Sequence, residues 1–197
     1  SRSGAGGGPR VGIVVLHEKN YPATERCLRS LARLTYPAAT VYFVDNGSTD
    51  GSMERLEPEF TNARVVPLRN HENLGFAAGC NPGIVRALAD GCGYVLLINN
   101  DCIAAAPDLL EGAVDLAESD PRCGIVGGKL LLWPDTGRIW GVGGRIGWGV
   151  DTFLGSGEPD RGQYAEVAET GFVSGALMLI KREVLEQIGL LPEVYFF

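Results

Sequence analysis

Short polar segments follow two apolar runs of the sequence, and their carboxylates are the first candidates for chemistry. Residues 41–44 lead into Asp45-Asn46-Gly47-Ser48-Thr49-Asp50-Gly51, and residues 94–98 lead into Asn99-Asn100-Asp101. Both runs are apolar without alternation, which is typical of buried parallel strands. Ligands of open α/β sheets bind beyond the carboxyl ends of such strands. The sequence therefore predicts two carboxylates at a ligand-binding edge, where they can hold a nucleobase, a ribose or a phosphate-bound metal.

Each acidic segment also has a purely structural interpretation. Asp45 precedes residues that favour turns and helix caps, and Asp101 is equally suited to capping the segment after it. On the other hand, a divalent cation held by one carboxylate and two phosphate oxygens is a usual Mg²⁺ arrangement. Such an ion stabilises the charge that grows on a departing nucleoside diphosphate. The presence of two such strand ends favours ligand binding.

A segment rich in small residues, 73–83, opens a further helix. Backbone N–H groups at a helix N-terminus can cradle phosphates. Close packing of this helix on the sheet explains Ala78 and Gly79 equally well. The segment lacks the Gly-Lys-Ser/Thr of a Walker loop, and no Gly-x-Gly-x-x-Gly follows the first apolar run, so a dinucleotide site is not expected.

Aromatic and histidine side chains supply few further candidates. Trp133, Trp140 and Trp148 are suited to stacking on a sugar ring, with core packing as the alternative for at least one of them. His17 and His71 have no metal-ligand spacing, and both are predicted to be structural.

The elements that must position these residues alternate between strands and helices. This alternation predicts βαβ units and a mainly parallel sheet. The region 137–162 is dense in glycine and is expected to form a hairpin or a mobile loop over one sheet edge. The expected strands cover residues 11–16, 40–44, 63–68, 94–98, 123–133 (with a double-glycine interruption) and 172–180. The expected helices cover residues 23–34, 107–117 and 181–188. A short helix capped by Ser48 or Asp50 is expected to end near Pro58, and the helix opened by residues 73–83 is expected to end at about residue 90.

Bulk composition excludes several classes of protein. The net charge of −7 over 197 residues argues against a nucleic-acid surface or a polybasic membrane anchor. The chain shows no signal peptide and no apolar run long enough to span a bilayer. Its five cysteines lack paired spacing, which indicates reduced thiols and a cytoplasmic location. Residues 1–10 are expected to be a flexible tail or tag remnant, with one domain over 11–197.

The motifs in this order resemble a known family. The chain is similar to family 2 glycosyltransferases, in the branch with many bacterial rhamnosyltransferase-like enzymes. The resemblance covers nearly the whole chain, and it is carried by residues 44–52, Asn73-Leu74-Gly75-Phe76-Ala77, Leu97-Ile98-Asn99-Asn100-Asp101 and residues 173–182.

This resemblance implies the GT-A fold, a Rossmann-like three-layer α/β/α sandwich whose central sheet is mainly parallel and partly mixed. It implies transfer of a sugar, with inversion, from a UDP-, dTDP- or GDP-linked donor to a glycan or lipid-linked acceptor in bacterial cell-surface polysaccharide synthesis. It implies a cytoplasmic enzyme, either free or peripheral at the inner face of the membrane. The implied cofactor is Mg²⁺ or Mn²⁺.

The resemblance also assigns site residues. Asp101 would hold the metal and Asp45 would contact the base of the donor. The remaining assignments are Leu16, Asn73, Gly75, Asn81 and Asn100 on the nucleotide side, and Trp148, Ser174, Gly175 and Ala176 on the donor-sugar and acceptor side.

Two departures from the family pattern matter for function. His17-Glu18-Lys19 stands where relatives carry an Asn-aromatic-Asn segment near the base. The catalytic base, one of an acidic pair in relatives, is expected just beyond Phe197; Asp151, Glu166 and Glu169 are weaker substitutes. We therefore expect a domain without its C-terminal part, which binds nucleoside diphosphate but transfers sugar poorly. The alternatives are a non-catalytic nucleotide- or glycan-binding module and, ranked lower, a sugar-phosphate nucleotidyltransferase.

Overall fold

A computed structural model describes residues 8–60, 64–147, 152–194 and 196. Its strands are β1 (Val11–His17), β2 (Ala39–Asn46), β3 (Val65–Asn70), β4 (Tyr94–Asn99), β5 (Ile125–Gly127), β6 (Leu130–Leu131), β7 (Ile139–Gly141), β8 (Gly144–Arg145), β9 (Thr152–Phe153) and β10 (Leu177–Lys181). Its helices are α1 (Tyr21–Leu31), α2 (Ser52–Phe60), α3 (Phe76–Ala89), α4 (Leu109–Ser119) and α5 (Arg182–Ile188).

Six strands form one central sheet in the order β3-β2-β1-β4-β10-β5. Strands β3, β2, β1 and β4 are parallel, whereas β10 runs antiparallel to both β4 and β5. The first four strands are joined through helices, as parallel neighbouring strands require. The predicted sheet, mainly parallel and partly mixed, is confirmed.

Helices cover both faces of the sheet and complete three layers. On one face, α1, α2 and α4 pack on the odd-numbered residues of β1, such as Ile13 and Val15. On the other face, α3 and α5 pack around Val14 and Tyr42. Since β1 is buried by helices on both sides, its sequence is continuously apolar rather than alternating.

The edge of the sheet beyond β10 differs in detail from the expected strand over 123–133. That segment divides into β5, in the central sheet, and β6, which pairs with β7 in a separate two-stranded sheet. The break falls at Gly127-Gly128, where the backbone passes very close to neighbouring side chains. A Cβ on Gly127 would lie 2.6 Å from Val173, and one on Gly128 would lie 2.6 Å from Leu177.

The glycine-rich region 137–162, expected to form a hairpin or a mobile loop, contains short antiparallel strands. β6 pairs with β7, and β8 pairs with β9. Trp140 lies 4.7 Å from Phe153 between ring centroids, and Phe153 lies 5.0 Å from Phe172. Trp140 therefore packs within an aromatic group, while Trp133 is 65% exposed.

Pro9 and Arg10, which belong to the flexible tail expected over residues 1–10, are hydrogen-bonded to the rest of the domain. The Pro9 carbonyl accepts a hydrogen bond from the Tyr36 hydroxyl at 2.7 Å. The Arg10 carbonyl accepts from the backbone N–H of Gly93 and Tyr94. These two residues of the expected tail are thus bonded to the rest of the domain, and residues 1–7 lie outside the described ranges. Within those ranges, no helix has both the length and the hydropathy needed to cross a bilayer.

Candidate functional site

The strand ends predicted to carry the site meet at one edge of the sheet. His17 at the end of β1 is in register with Asp45 on β2, and Asp45 is in register with Arg69 on β3. On the other side of β1, Leu16 is in register with Asn99 on β4. Because these strands are parallel, the polar segments that follow them emerge on the same side of the molecule.

Asp101 lies in a tight turn directly after β4. The backbone N–H of Cys102 donates to the Asn99 carbonyl at 3.0 Å, which closes the turn, and Asp101 is exposed. Asn100 is half-buried, and its side-chain amide donates to the hydroxyl of Thr24 on α1 at 2.9 Å. The carboxylate of Asp101 is therefore presented to solvent, while Asn100 ties the turn to the body of the domain.

The Ser174-Gly175-Ala176 segment lies beside this turn. The Ala176 carbonyl accepts from the Asn99 N–H at 3.2 Å, and the Ser174 hydroxyl accepts from the Ala176 N–H at 3.1 Å. These bonds shape a turn that leads into β10, which is why that strand begins at Leu177 rather than at residue 172. The distant C-terminal motif is thereby held next to the Asn99-Asn100-Asp101 turn.

The start of α3 lies against the Ser174-Gly175-Ala176 segment, and the place where these three elements meet is the candidate cleft. A Cβ on Gly175 would lie 3.5 Å from the ring of Phe76, the first residue of α3. Gly75 caps this helix with a φ of 78°, a backbone conformation that favours glycine. Three motifs that are far apart in sequence therefore converge: residues 99–101, residues 174–176 and the start of α3.

Asp45 is placed differently from Asp101. Its side chain is fully buried; Oδ1 accepts from the backbone N–H of Ser48 at 3.0 Å, and Oδ2 lies 3.1 Å from the Nε of Arg69. Arg69 also donates to the Ser48 carbonyl at 2.9 Å. Asp101 is exposed whereas Asp45 is buried, so the expectation that both carboxylates face a shared ligand site is wrong for Asp45. The reason is that Asp45 stabilises the turn after β2, the structural alternative that the sequence left open.

A cluster of buried amides organises the residues around Asn73. The Asn46 side chain donates to Asn73 Oδ1 at 2.9 Å and accepts from Asn70 Nδ2 at 2.9 Å and from the backbone N–H of Leu74 at 3.2 Å. Asn73 Oδ1 also accepts from the Gly75 N–H at 2.9 Å. The predicted residues Asn73 and Gly75 thus lie at the same edge as the rest of the cleft, and the amides fix their loop.

The structure gives Asn81, predicted on the nucleotide side, a different task. Its side chain is buried, donates to the Leu191 carbonyl at 3.0 Å and to Glu193 Oε1 at 2.8 Å, and accepts from the Leu191 N–H at 3.1 Å. Both N–H donors are therefore used within the chain, and Asn81 fastens the C-terminal segment to α3. We do not retain it as a ligand contact.

The remaining predicted residues divide between packing and regions outside the described ranges. Leu16 is half-buried and packs against α3, since a Cβ on Gly79 would lie 2.9 Å from its methyl groups. Trp148 lies outside the described residues, as does Asp151. Beyond Ser174, a cavity of about 860 Å³ runs between β5 and residues 164–174 and includes Glu166 and Glu169 in its lining.

Sequence reasoning missed the partners that hold these side chains. Arg69 and Asn70 end β3, and Thr24 and Ser52 lie on α1 and α2, without an individual signal in the sequence. The signal that was available is the strand register, because opposing strand ends bring Asp45 next to Arg69 and Asn46 next to Asn70.

A metal ion at this site would need further oxygen ligands from the bound substrate, in addition to those of the protein. Over residues 8–60, 64–147, 152–194 and 196, no group of three or more His, Cys, Asp or Glu side chains is arranged to hold a metal. The exposed carboxylate of Asp101 still fits Mg²⁺ or Mn²⁺, because such ions are commonly bound by one carboxylate together with substrate phosphates and water.

The sequence profile described as Glycosyl transferase family 2 matches residues 11–189, which is nearly the whole described domain. The chain belongs to glycosyl transferase family 2. A curated relative, the N-acetylglucosaminyl-diphospho-decaprenol L-rhamnosyltransferase of Mycobacterium tuberculosis, is 29% identical over 196 residues. The alignment covers 89% of this chain and 62% of the relative, so the chain spans less than two thirds of that protein.

Solved structures of glycosyltransferases share the fold of this family 2 domain. The mannosyltransferase PcManGT from Pyrobaculum calidifontis, in complex with GDP-Man and Mn²⁺, gives a TM-score of 0.67 at 21% identity, over 98% of this chain and 52% of that one. S. aureus TarS 1-349 in complex with UDP gives a TM-score of 0.67 at 16% identity, over 95% and 51%. At these identities the likeness concerns the fold, and the expected GT-A fold is confirmed.

Proposed function

We propose that this domain binds a nucleotide-sugar donor with a divalent metal, and that the protein transfers the sugar, with inversion, to a saccharide or lipid-linked acceptor. The observation that carries the proposal is the convergence of three motifs. The Asn99 N–H bonds the Ala176 carbonyl, Gly175 faces Phe76, and Asp101 is exposed beside them. A small cleft formed by strand-end turns and a helix start suits a ligand with a nucleotide and a sugar.

Asp101 is the residue that would hold the metal. When bound, Mg²⁺ or Mn²⁺ supplies Lewis-acid stabilisation of the leaving diphosphate. The chain contributes the orientation of Asp101, because Asn100 is bonded to Thr24 and the turn is closed by the Cys102 N–H. The fold neighbour with GDP-Man and Mn²⁺ supports a metal-dependent donor site of this kind.

The acceptor would approach from the side of residues 174–176. A cavity of about 860 Å³ with Ser174 in its lining supports this direction of approach. The name of the curated relative, which acts on a diphospho-decaprenol-linked sugar, supports a lipid-linked acceptor and a role in bacterial polysaccharide synthesis. All five cysteines are free thiols, which supports action in a reducing compartment. The position of the catalytic base, expected just beyond Phe197, stays a prediction from the family resemblance.

Calorimetry on the Asp101→Asn variant tests the proposed function. The parent should bind UDP, dTDP or GDP more tightly with Mn²⁺ than with EDTA. In the variant, we expect the metal-dependent gain to fall by at least about tenfold, because the one carboxylate ligand is lost.

Asp115→Asn is the matched control, since Asp115 is an exposed aspartate on α4 away from the cleft. It should bind as the parent does. Metal-dependent binding that survives in Asp101→Asn, or a parent that binds none of the three diphosphates, would contradict the proposal.

A further inference from the structure

His17 is a fully buried histidine at the end of β1, and both of its ring nitrogens are hydrogen-bonded. Nδ1 lies 2.9 Å from the hydroxyl of Thr24 on α1, and Nε2 lies 2.7 Å from the hydroxyl of Ser52 on α2. The ring also stacks on Phe43 at 5.4 Å between centroids. The side chain is therefore held in one orientation by two helices and a neighbouring strand.

The partners fix the direction of each bond around the ring. Ser52 donates its hydroxyl proton to Asp50 Oδ1 at 2.5 Å, and a carboxylate can only accept, so Ser52 Oγ accepts from His17 Nε2–H. In the neutral ring Nδ1 is then an acceptor, and the Thr24 hydroxyl, 2.9 Å away, is the group that can donate to it. The Asn20 carbonyl, 3.2 Å from the same hydroxyl, is the alternative acceptor.

Burial supports this neutral form. It lowers the pKa of His17, against the opposing influence of the carboxylates of Asp45, Asp50 and Glu18. On the far side of the ring, Thr24 Oγ1 accepts from the side-chain amide of Asn100. With His17 neutral, a continuous chain of hydrogen bonds runs in one direction from Asn100 through Thr24, His17 and Ser52 to Asp50.

The two ends of this chain are the two polar segments that follow β2 and β4. Asn100 adjoins Asp101, and Asp50 ends the turn that begins at Asp45. The segments are separated by β1, so they share no direct ladder contact. Hydrogen bonds in such a buried chain polarise and strengthen one another. A change at one end is therefore felt at the other.

We propose that His17 is a positioning residue that couples the Asp45–Asp50 turn to the Asn100–Asp101 turn and sets the geometry of the donor site. It touches no donor atom and acts through Ser52 and Thr24. This inference rests on the proposed function for its purpose, but the coupling itself is a property of the chain without ligand.

Hydrogen exchange on the ligand-free protein tests the coupling. Thr24→Val and Ser52→Ala each remove one hydroxyl on one side of the ring. We expect Ser52→Ala to accelerate exchange of the Cys102 amide, and Thr24→Val to accelerate exchange of the Ser48 amide, each by about threefold or more. Both amides lie across His17 from the substituted residue, so a merely local role would leave them unchanged.

Tyr42→Phe is the control for a lost buried hydrogen bond elsewhere. Its hydroxyl donates to Asp90 Oδ2 at 2.9 Å, at the end of α3 that is remote from the cleft. This variant should leave both probe amides at the parent rate. The inference would be overturned if, in Thr24→Val and Ser52→Ala, exchange became faster only for amides on the same side of His17 as the substituted residue.

Titration with UDP, dTDP and GDP in Mn²⁺ links the coupling to the site. Each single variant should weaken binding by about tenfold, and the Thr24→Val/Ser52→Ala double variant should weaken it by the same factor, since either change breaks the same chain. His17→Asn and His17→Gln, which retain an amide near Nδ1 or Nε2 respectively, should each bind better than His17→Ala.

The outcomes separate the two proposals. Single effects that multiply in the double variant, or binding by His17→Ala within about twofold of the parent, would overturn the positioning role. A parent that binds none of the diphosphates would overturn the proposed function, and the exchange measurement would still decide the coupling.

Discussion

Polar side chains at the ends of β1, β2 and β3 are buried and contact other groups of the chain rather than solvent. His17, Asp45, Asn46 and Asn70 are each at most 7% exposed. A buried polar group without a partner costs about 1–3 kcal/mol, so each of these residues constrains its neighbours. At the residue scale, the shape of the cleft therefore depends on side chains that do not themselves face it.

Protonation of His17 should destabilise the fold. Its folded-state pKa lies below the ordinary value of 6.5, so the unfolded chain takes up the proton first as the pH falls. The contribution of His17 to stability is then fully present above about pH 6.5. It is lost as the pH falls from there towards the lowered folded-state pKa, with a slope of at most about 1.4 kcal/mol per pH unit. Urea unfolding between pH 7.5 and 5 measures this decrease.

The variant His17→Gln should lack this component, because glutamine does not titrate in that range. His71→Gln is the control, since it removes an exposed histidine instead of the buried one. The pKa values of Asp50 and Asp90 are lowered below 3.8, mainly by hydrogen bonds from Ser52 and Tyr42 respectively. These two groups therefore affect the pH dependence of stability only at lower pH than His17 does. An unchanged slope in His17→Gln would show that another group causes it.

At the scale of elements, α3 approaches the sheet through its glycines. A Cβ on Gly79 would lie 2.9 Å from Leu16 methyl carbons and 3.1 Å from Asn46 Nδ2, and one on Gly83 would lie 2.8 Å from Val14. The packing interpretation of the small-residue segment is therefore correct for Gly79. This close approach also brings the start of α3 to the cleft.

Gly79→Ala should destabilise the protein despite the higher helix propensity of alanine. The overpacking cost of about 1–3 kcal/mol outweighs a propensity gain of about 1 kcal/mol. Gly112→Ala on α4 is the matched control, because nothing lies within 4 Å of its added Cβ. It should stabilise by about 0.5–1 kcal/mol. Denaturant unfolding measures both effects. Midpoints that shift in the same direction in the two variants would contradict this view of α3.

At the scale of the whole molecule, the C-terminal segment returns to the helix that borders the cleft. Asn81 bonds residues 191 and 193, and the backbone N–H of Phe76 donates to the Phe196 carbonyl at 2.9 Å. The two ends of this segment thus contact the first two turns of α3. Residues near the end of the sequence thereby help to define the cleft.

Asn81→Ala should release this segment. The Leu191 N–H loses its acceptor, so we expect faster exchange of that amide and a loss of about 1–3 kcal/mol in stability. Gln187→Ala on α5 removes an exposed amide whose side chain makes no hydrogen bond among the described residues. This control should leave Leu191 protected. Protection of Leu191 that persists in Asn81→Ala would show that the segment is held by packing alone.

Much of this architecture was predictable from local patterns. The strands at the centre of the sheet are continuously apolar because helices bury both faces, and this pattern located β1, β2 and β4 within a residue or two. The weaker predictions concerned residues 123–133 and 172–180. There the outcome depended on a close backbone approach at Gly127 and on a turn made by Ser174, neither of which has a periodic signature.

The sequence by itself determined the alternation of strands and helices, the order of the motifs and, through them, the family. Only the tertiary structure decided which polar residues face the cleft. It exposed Asp101, buried Asp45 against Arg69 and gave Asn81 to the C-terminal segment. The physical reason is that burial and hydrogen-bond partners come from strands and helices distant in sequence, whereas residue type and spacing report only on local conformation.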